Sequence, residues 1–403
     1  MSKYLHIFRY GFFAFVIVYL IVSINYFTQI NVGAGDEALF IYDLNYISKY
    51  GWQAAIEKGI SIPYMLISYL FSLFFEEYIA LRVVNIFLFI GLIFYFFKIK
   101  KLRNLDFYAL LLFYFATAGY FFKGINDPLF VIALVIFFTE TYFILKTKEK
   151  QNIAVLFTAL IFVVFTRALF VVFLPAILFS IYLIRKQIKL SFKKMIPAIF
   201  FLMLFSIINI PSIAKNNTLS YDAKDPPPNA ISNWAQRQYL AQLQVNNGER
   251  DNFTHPSWKE TDQYLIVNGE DSLPKGILSG LTFNIDLTIK EFFKDLGYII
   301  VYSSRQLGLI LPILFYFGFL LFMKQKKITS TSYACSIITI MTTIFALIII
   351  SYIELRWFGS FFLLAILAFS ELIQKKQLHN FITVAHYLIM IAICCYGIVQ
   401  KVI

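Results

Sequence analysis

Charge is scarce in this sequence: Asp, Glu, Lys and Arg make up 14% of the 403 residues, whereas 60% are hydrophobic and 19% aromatic. Soluble globular domains carry about 25% charged residues, so this composition excludes an ordinary soluble domain. A mean hydropathy of +0.72 supports the same exclusion. We therefore predict an all-α polytopic membrane protein.

Cysteine and histidine are also scarce, and neither is spaced for metal binding. The three cysteines lie in apolar runs without a Cys-X-X-Cys spacing, which argues against disulfides and thiolate metal sites. The four histidines are scattered, and no glycine-rich phosphate-binding loop is present. The net charge of +12 reflects short basic clusters between apolar runs, so we expect no nucleic acid partner.

Twelve apolar runs approach the length of about 20 residues that a membrane-spanning helix needs. Six basic clusters accompany them and, by the positive-inside rule, belong on the cytoplasmic face. These clusters are Lys3/Arg9, 98–103, 146–150, 185–194, 324–327 and Lys375/Lys376. All six clusters lie on one face of the membrane only if one of the twelve apolar runs does not cross it. The run 60–75, with Pro63 near its start, is the shortest candidate, and we interpret it as a helix on the outer membrane surface.

The resulting topology has about eleven transmembrane helices, with the N terminus inside and the C terminus outside. We predict a transmembrane module at 1–211, whose first outer loop at 31–81 contains juxtamembrane helices. A small helical outer segment or cap follows at 212–297, with an extended stretch at 225–228, and the last spans lie in 298–403. The first apolar run is interpreted as an uncleaved anchor, because it exceeds a signal-peptide core in length. We expect a multi-pass protein of the bacterial inner (cytoplasmic) membrane.

Unusual polar residues collect on the outer side of this topology, facing the periplasm or exterior. They are Asp36, Glu37, Arg82, Asp127, Arg167, Arg305, Glu354 and Arg356. Guanidinium groups match phosphate bidentately, so the four arginines suit a phosphate at headgroup level. The alternative is that they extend to the phosphates of ordinary membrane lipids.

The carboxylates also have two interpretations. A helix start explains one acidic residue at Asp36 or Glu37, but not an adjacent pair beside a membrane. Asp127 precedes Pro128 and fits a helix N-cap. Because the topology places all three carboxylates outside, they can instead converge on one active site.

The order of these residues resembles the GT-C superfamily of membrane glycosyltransferases. The resemblance rests on Gly-Asp-Glu-Ala at 35–38, a single-proline helix at 59–71, Arg82, Asp127-Pro128 and Glu-Leu-Arg-Trp at 354–357. In particular, the chain is similar to the protein O-mannosyltransferase and aminoarabinose-transferase branch, whose members use polyprenyl-phosphate sugars. The resemblance covers most of 1–185 and the 350–370 segment.

This resemblance implies an inverting glycosyltransferase that moves a sugar from a polyprenyl-phosphate donor to a hydroxyl of a glycan, lipid or protein. It implies that Asp36 is the general base, Glu37 its acidic partner and Asp127 the second outer-loop carboxylate. The family often has a Pro-Pro pair where this chain has Ile62-Pro63, and an Arg where it has Lys123. We place Lys123 with the arginines as donor-phosphate ligands, and Glu354 and His255 as residues that support the acceptor.

The sequence also permits a metal site and two other functions. Carboxylate ligands favour Mg²⁺ or Mn²⁺, and Asp36, Glu37 and Asp127 are the candidates, although nothing in the sequence demands a metal. An O-antigen-polymerase type transferase also has many spans, but its chemistry is expected to use Arg and His. A flippase or transporter of lipid-linked saccharides should place ionisable residues and helix breaks at mid-membrane.

Overall fold

The structure is a computed structural model that describes residues 2–147, 152–189, 192–222, 226–227, 229–252 and 254–403. Within these ranges the regular secondary structure is helical, and no strand occurs. Some residues used in the sequence analysis lie outside the description. They are Lys148, Glu149 and Lys150 of one basic cluster, Asp225 and Pro228 of the extended stretch, and the side chain of Lys3.

The described residues form α-helices joined by short turns. In chain order they are α1 (Ser2–Thr28), α2 (Glu37–Lys58), α3 (Ile62–Ser72), α4 (Glu77–Phe94), α5 (Leu105–Ala118), α6 (Asp127–Lys146), α7 (Ile153–Thr166), α8 (Phe170–Gln187), α9 (Phe192–Ile208), α10 (Ile210–Asn216), α11 (Trp234–Asn246), α12 (Trp258–Asn268), α13 (Ile277–Phe283), α14 (Ile285–Leu307), α15 (Ile310–Gln325), α16 (Ser330–Leu347), α17 (Gly359–Gln374) and α18 (Asn380–Val402). A π-helical turn follows α4 at Tyr95–Ile99, and 3₁₀ turns occur at Tyr120–Phe122, Glu270–Ser272 and Leu355–Phe358.

The chain folds into two compact units. The first consists of Met1–Asp222, Ser304–Ile338 and Arg356–Ile403, and the second of Ala223–Ser303 and Thr339–Leu355. The second unit has its own small core, made of Tyr239, Leu240, Leu265, Leu273 and Ile349. It therefore combines most of the outer segment at 212–297 with most of α14, the last part of α16 and the residues that follow α16 up to Leu355.

Within the described part of the chain, seven helices are long and apolar enough to cross a membrane, and two bent helix pairs raise that number to nine. The protein is thus a multi-pass membrane protein in architecture. A count of eleven would also need α5 and α7, which have 14 residues each. Helices of that length extend about 21 Å, less than the hydrocarbon thickness of about 30 Å. The count of eleven stays a prediction.

Two predicted spans are broken. The run near 298–323 is not one helix, because α14 and α15 meet at a 104° bend, and the run near 195–211 becomes α9 and α10 with a 50° bend. At the first break Gly308 has a φ of +54°, which favours glycine and ends a helix. A Cβ atom there would lie 2.7 Å from the sulfur of Met390. Hydropathy does not detect this break, because both helices are apolar.

Helix α3 is too short to cross a bilayer. Its 11 residues extend about 16 Å. Just before its start, Ser61 donates a hydrogen bond to the carbonyl of Thr166 at 2.8 Å. These features agree with the interpretation of 60–75 as a helix that does not cross.

Helices α1 and α18 run side by side in the same direction. Toward the start of both helices, the ring of Phe12 stacks on Tyr387 with centroids 5.7 Å apart. Toward their ends, the ammonium of Lys401 donates to the hydroxyl of Ser23 at 2.7 Å. Helix α1 therefore begins, and α18 ends, at opposite faces of the first unit.

At the face where α1 begins, three buried carboxylates form ion pairs with residues of the basic clusters. Asp106 pairs with Arg9 at 2.7 Å, and Glu140 pairs with Lys100 at 2.5 Å. Glu371, which the sequence analysis missed, pairs with Lys146 at 2.7 Å and Lys375 at 3.4 Å. Each buried carboxylate needs a positive partner, because a buried charge is stable only when it is paired. Through these pairs, members of four predicted cytoplasmic clusters lie at one face of the first unit.

We expect thiol labelling in intact cells to show which face is cytoplasmic. In a variant without Cys335, Cys394 and Cys395, a cysteine at Lys101 or Lys326 should resist an impermeant thiol reagent. A cysteine at Ser48 or Asn247 should react, because all four positions are exposed and only the second pair is predicted to lie outside. Labelling of position 101 from outside would contradict the topology and the outward-facing site that depends on it.

Candidate functional site

Asp127 lies between two arginines at the start of α6. Its side chain is 4% exposed, and Oδ2 lies 3.3 Å from Nη1 of Arg356 in the turn Leu355–Phe358. Its other oxygen, Oδ1, contacts Nη1 of Arg167, the residue that ends α7. The N-cap of α6 is Asn126, so Asp127 does not serve as the cap. The carboxylate instead joins three separate parts of the first unit.

Arg356 connects Asp127 to Asp36. Its Nη2 atom lies 2.6 Å from Oδ2 of Asp36, and the Asp36 side chain is 25% exposed. Asp36 occupies the N-cap position of α2 but makes no side-chain capping hydrogen bond. Helix capping therefore does not account for its carboxylate. We call Asp36, Arg356, Asp127 and Arg167 the carboxylate–arginine cluster, in which Asp36 is the accessible acid and Asp127 the buried one.

Glu37 lies outside this cluster and pairs with Arg82 instead. Its carboxylate binds Arg82 through two bonds, from Nε at 2.7 Å and from Nη2 at 2.8 Å. It also accepts hydrogen bonds from the backbone N–H groups of Gly124 at 2.7 Å and Gly33 at 3.0 Å. Burial pushes the pKa of Glu37 upward, but Arg82 and the two N–H groups outweigh it, so the pKa is lowered. Glu37 is an ionised group that ties the first loop to α4 and to the segment before α6.

This tie requires a close backbone approach at Gly124. A Cβ atom there would lie 2.6 Å from Cβ of Leu81 and 3.0 Å from Oε1 of Glu37. Asn85 on α4 fixes the same segment, because its amide donates to the carbonyls of Lys123 at 2.5 Å and Ile125 at 2.9 Å. Helix α4 therefore positions the start of α6. The side chain of Lys123, predicted as a phosphate ligand, is half-buried.

A second carboxyl pair lies next to this cluster and was missed in the sequence analysis. Burial, followed by the neighbouring Asp43 carboxyl of α2, raises the pKa of Asp222 well above its usual range. Nζ of Lys58 lies 2.5 Å from Oδ1 of Asp43, and the amide of Asn126 donates to Oδ2 of Asp222 at 2.9 Å. A signal for Asp43 existed, since it shares the buried face of α2 with Phe40 and other apolar residues.

The remaining predicted residues lie elsewhere in the chain. Arg305 is exposed in the last turn of α14. Glu354 is half-buried just before the turn that contains Arg356, and it belongs to the second unit. His255, also of the second unit, is exposed, with Nδ1 3.1 Å from the hydroxyl oxygen of Ser351. The structure thus joins Asp36, Asp127, Arg167 and Arg356 directly, and pairs Glu37 with Arg82.

The carboxylates are not arranged as a metal site. In the ranges that the structure describes, no group of three or more His, Cys, Asp or Glu residues could hold an ion. Asp36, Glu37 and Asp127 each face a guanidinium, whose positive charge opposes a divalent cation. The predicted Mg²⁺ or Mn²⁺ does not fit this donor set.

An apolar groove with a volume of about 630 Å³ runs along helices that end at these polar residues. Its walls come from α3, α4, α6, α7 and α9, and Thr158 contributes a hydroxyl among otherwise apolar side chains. Val84 lies shortly after Arg82, and Leu129 shortly after Asp127, while Phe162 lies one turn before Arg167. Along these three helices the groove therefore begins two to five residues from the charged positions.

Comparison with known proteins identifies neither a family nor a function for the chain. The chain matches no protein-family model, no characterised protein and no solved structure. The geometry of the carboxylate–arginine cluster and the apolar groove therefore carries the functional argument.

We expect Glu37→Gln to destabilise the protein. The change leaves the buried Arg82 charge without its partner, which costs about 3–5 kcal/mol in comparable buried pairs. Thermal unfolding in detergent should show a clearly lower Tm than that of the matched variant Glu57→Gln. Glu57 lies on the same helix as Glu37, and its carboxylate forms a more exposed pair with Lys215 of α10.

The stabilisation that Glu37 contributes to the fold changes with pH in a defined direction. Because the pKa of Glu37 is lowered on folding, its stabilisation is present above the pKa of the unfolded chain and is lost as the pH falls through the folded value. The Tm difference between wild type and Glu37→Gln should therefore shrink in acid. Equal Tm values at neutral pH would contradict a structural role for the pair.

Proposed function

We propose that the protein is an integral-membrane inverting glycosyltransferase. It moves a sugar from a polyprenyl-phosphate-linked donor to an acceptor hydroxyl of a cell-surface glycan, lipid or protein, at the outer face of the membrane. The observation that carries this proposal is the apolar groove along α6 and α7, which begins within a few residues of Asp127 and Arg167 of the carboxylate–arginine cluster. A substrate that fits both parts has an apolar chain and an anionic head.

The groove suits the chain of such a donor. Its volume of about 630 Å³ lies within the usual range of ligand pockets, about 300–1,000 Å³. The lining on α7 runs from Ala154 to Phe162, a length of about 12 Å along the helix axis. An isoprenoid chain along α4, α6 and α7 would bring its phosphate to Arg167 and Arg356.

Asp36 is the base in this proposal. As the acceptor oxygen bonds to the anomeric carbon of the donor, its proton moves to the Asp36 carboxylate. The bond between that carbon and the phosphate oxygen breaks, and its electron pair leaves on the phosphate. Attack from the face opposite the phosphate inverts the anomeric carbon. A positioned general base contributes about 10²–10⁴-fold to the rate.

The arginines stabilise the leaving group. Negative charge grows on the phosphate as the bond breaks, and pre-positioned guanidinium groups lower the energy of that state. A phosphate that binds Arg356 also weakens the pairing of Arg356 with Asp36, which makes the Asp36 carboxylate a better proton acceptor once the donor is in place. Asp127 holds Arg356 and Arg167, and Glu37 with Arg82 holds the loop that presents Asp36.

The transporter alternative has one observation in its favour. The bent pairs α9–α10 and α14–α15 are broken helices of the kind that transporters use. A flippase for lipid-linked saccharides would leave its substrate chemically unchanged. Sugar transfer by purified protein in detergent, where no transport is possible, separates the two functions.

We expect Asp36→Asn to abolish most sugar transfer. The amide keeps the size of the side chain and can still accept a hydrogen bond from Arg356, which also keeps its contact with Asp127, so the fold should persist. The transfer rate should fall at least a hundredfold, because the amide cannot accept the proton. Donor binding and Tm serve as controls, and Asp271→Asn, which changes an exposed acid, should retain full activity. Near-normal transfer by Asp36→Asn would end the proposed mechanism.

A further inference from the structure

The first half of α14 packs against the protein through its polar side. Of residues 285–296, Thr288 and Glu291 are the ones that are buried. The Glu291 carboxylate is 2% exposed and accepts hydrogen bonds from the amides of Gln242 at 2.9 Å and Asn246 at 2.7 Å, both on α11. A helix at the surface of a soluble domain does the opposite, because it buries its apolar side and leaves its polar side in water.

The other side of α14 exposes a row of large apolar side chains. Ile285, Ile289, Phe293 and Ile300 are 61%, 52%, 65% and 60% exposed. With a rotation of about 100° per residue, these four positions fall within about 80° of one another around the helix axis. We call them the α14 stripe. An exposed apolar surface of this kind marks a contact with a partner or with a membrane.

The first half of α14 is too highly charged to cross the hydrocarbon itself. Asp286, Lys290, Glu291, Lys294 and Asp295 lie within ten residues, whereas charged side chains are rare inside membrane-spanning helices. The neighbouring helix α11 is polar as well, with glutamine at four of its 13 positions, so the Glu291 side of α14 belongs in an aqueous environment. A helix that needs water on one side and apolar surroundings on the other fits the membrane surface.

Two further observations indicate lipid as the occupant of the α14 stripe. Lys290 is exposed and directly follows Ile289, and lysine side chains beside the apolar side of a surface helix reach the lipid phosphates. Asp286 lies in the first turn, where the helix dipole stabilises a negative charge. In addition, the 104° bend between α14 and α15 allows α15 to cross the bilayer while α14 runs along its surface.

We propose that the α14 stripe binds the outer leaflet of the membrane and holds the second unit at the lipid surface. The apolar side chains lie among the acyl chains, and Glu291 with its partners on α11 faces away from them. These residues take no part in the proposed transfer reaction, so lipid binding does not depend on the proposed function. The stripe adds a membrane anchor to the outer segment, whose sequence predicts only a small helical cap.

Spin labels in a lipid bilayer test the position of the stripe. The cysteine-free variant carries one labelled cysteine, at Ile289, Phe293 or the exposed control position Asp271, and is reconstituted into vesicles of phosphatidylethanolamine and phosphatidylglycerol. A surface helix buries its apolar side about 5–10 Å into the boundary between headgroups and acyl chains. Labels at Ile289 and Phe293 should therefore collide more often with oxygen, which dissolves in lipid, than with a water-soluble nickel chelate. The label at Asp271 should show the reverse preference, and a nickel preference at both stripe positions would overturn the proposal.

A label at Lys290 separates a surface helix from a spanning helix. This position lies about 100° around the axis from Ile289, so on a surface helix it reaches the headgroups, where oxygen is less favoured than at Ile289. In a spanning helix, lipid surrounds both positions. An equal oxygen preference at Ile289 and Lys290 would therefore place α14 across the bilayer and overturn the proposal.

The same samples distinguish lipid from a second copy of the chain. If a second copy covered the stripe, the label at Ile289 would show spin–spin broadening that disappears on dilution with unlabelled protein. Lipid binding predicts that this broadening is absent, so its appearance would overturn the proposal.

Charged substitutions test whether the stripe itself holds the helix in lipid. With a label at Ile285, the double variant Ile289→Glu/Phe293→Glu should shift the label from oxygen preference to nickel preference, because carboxylates are costly among acyl chains. The matched control Ile266→Glu/Val267→Glu changes two exposed apolar residues of α12 in the same unit and should leave the label unchanged. An unchanged label in the stripe variant would show that the stripe does not hold α14 in lipid and would overturn the proposal.

Discussion

The guanidinium of Arg356 is the interaction on which the candidate site depends. It connects Asp36 and Asp127, which lie 320 and 229 residues away from it in the chain. A partly buried charge is costly unless it is paired, so each of the three groups fixes the position of the others. The start of α2, the start of α6 and the turn Leu355–Phe358 are brought together in this way. Arg167 extends the same network to the end of α7.

Two adjacent carboxylates serve two different arginines. Successive residues on a helix point about 100° apart, so Asp36 and Glu37 at the start of α2 face different neighbours. Glu37 is buried and fully occupied by Arg82 and two backbone N–H groups. Asp36 is one-quarter exposed and shares Arg356 with Asp127. The adjacent pair therefore combines a structural acid with an accessible one.

Composition and charge distribution predicted a helical membrane protein and a site made of Asp36, Glu37, Asp127 and the outer arginines. Of these residues the structure joins Asp36, Asp127, Arg167 and Arg356, whereas Glu37 pairs with Arg82 and Arg305 lies in the last turn of α14. Those predictions depend on hydropathy, which is local, and on the side of the membrane, which follows from counting spans between the basic clusters. The Asp43–Asp222 pair was missed because its members lie far apart in the chain and in segments with no shared pattern. The break at Gly308 was missed because apolar residues continue on both sides of it.

The central claim is that one ligand places its apolar chain in the groove and its phosphate at the carboxylate–arginine cluster. Photo-crosslinking tests it most directly, with a polyprenyl-phosphate sugar that carries a diazirine on its isoprenoid chain. We expect mass spectrometry to find the label on groove residues such as Phe87, Ile132 and Ala159, and excess unlabelled donor to suppress it. Label spread over lipid-facing residues of other helices, such as Leu388 and Tyr396 of α18, and unaffected by competing donor, would contradict the claim.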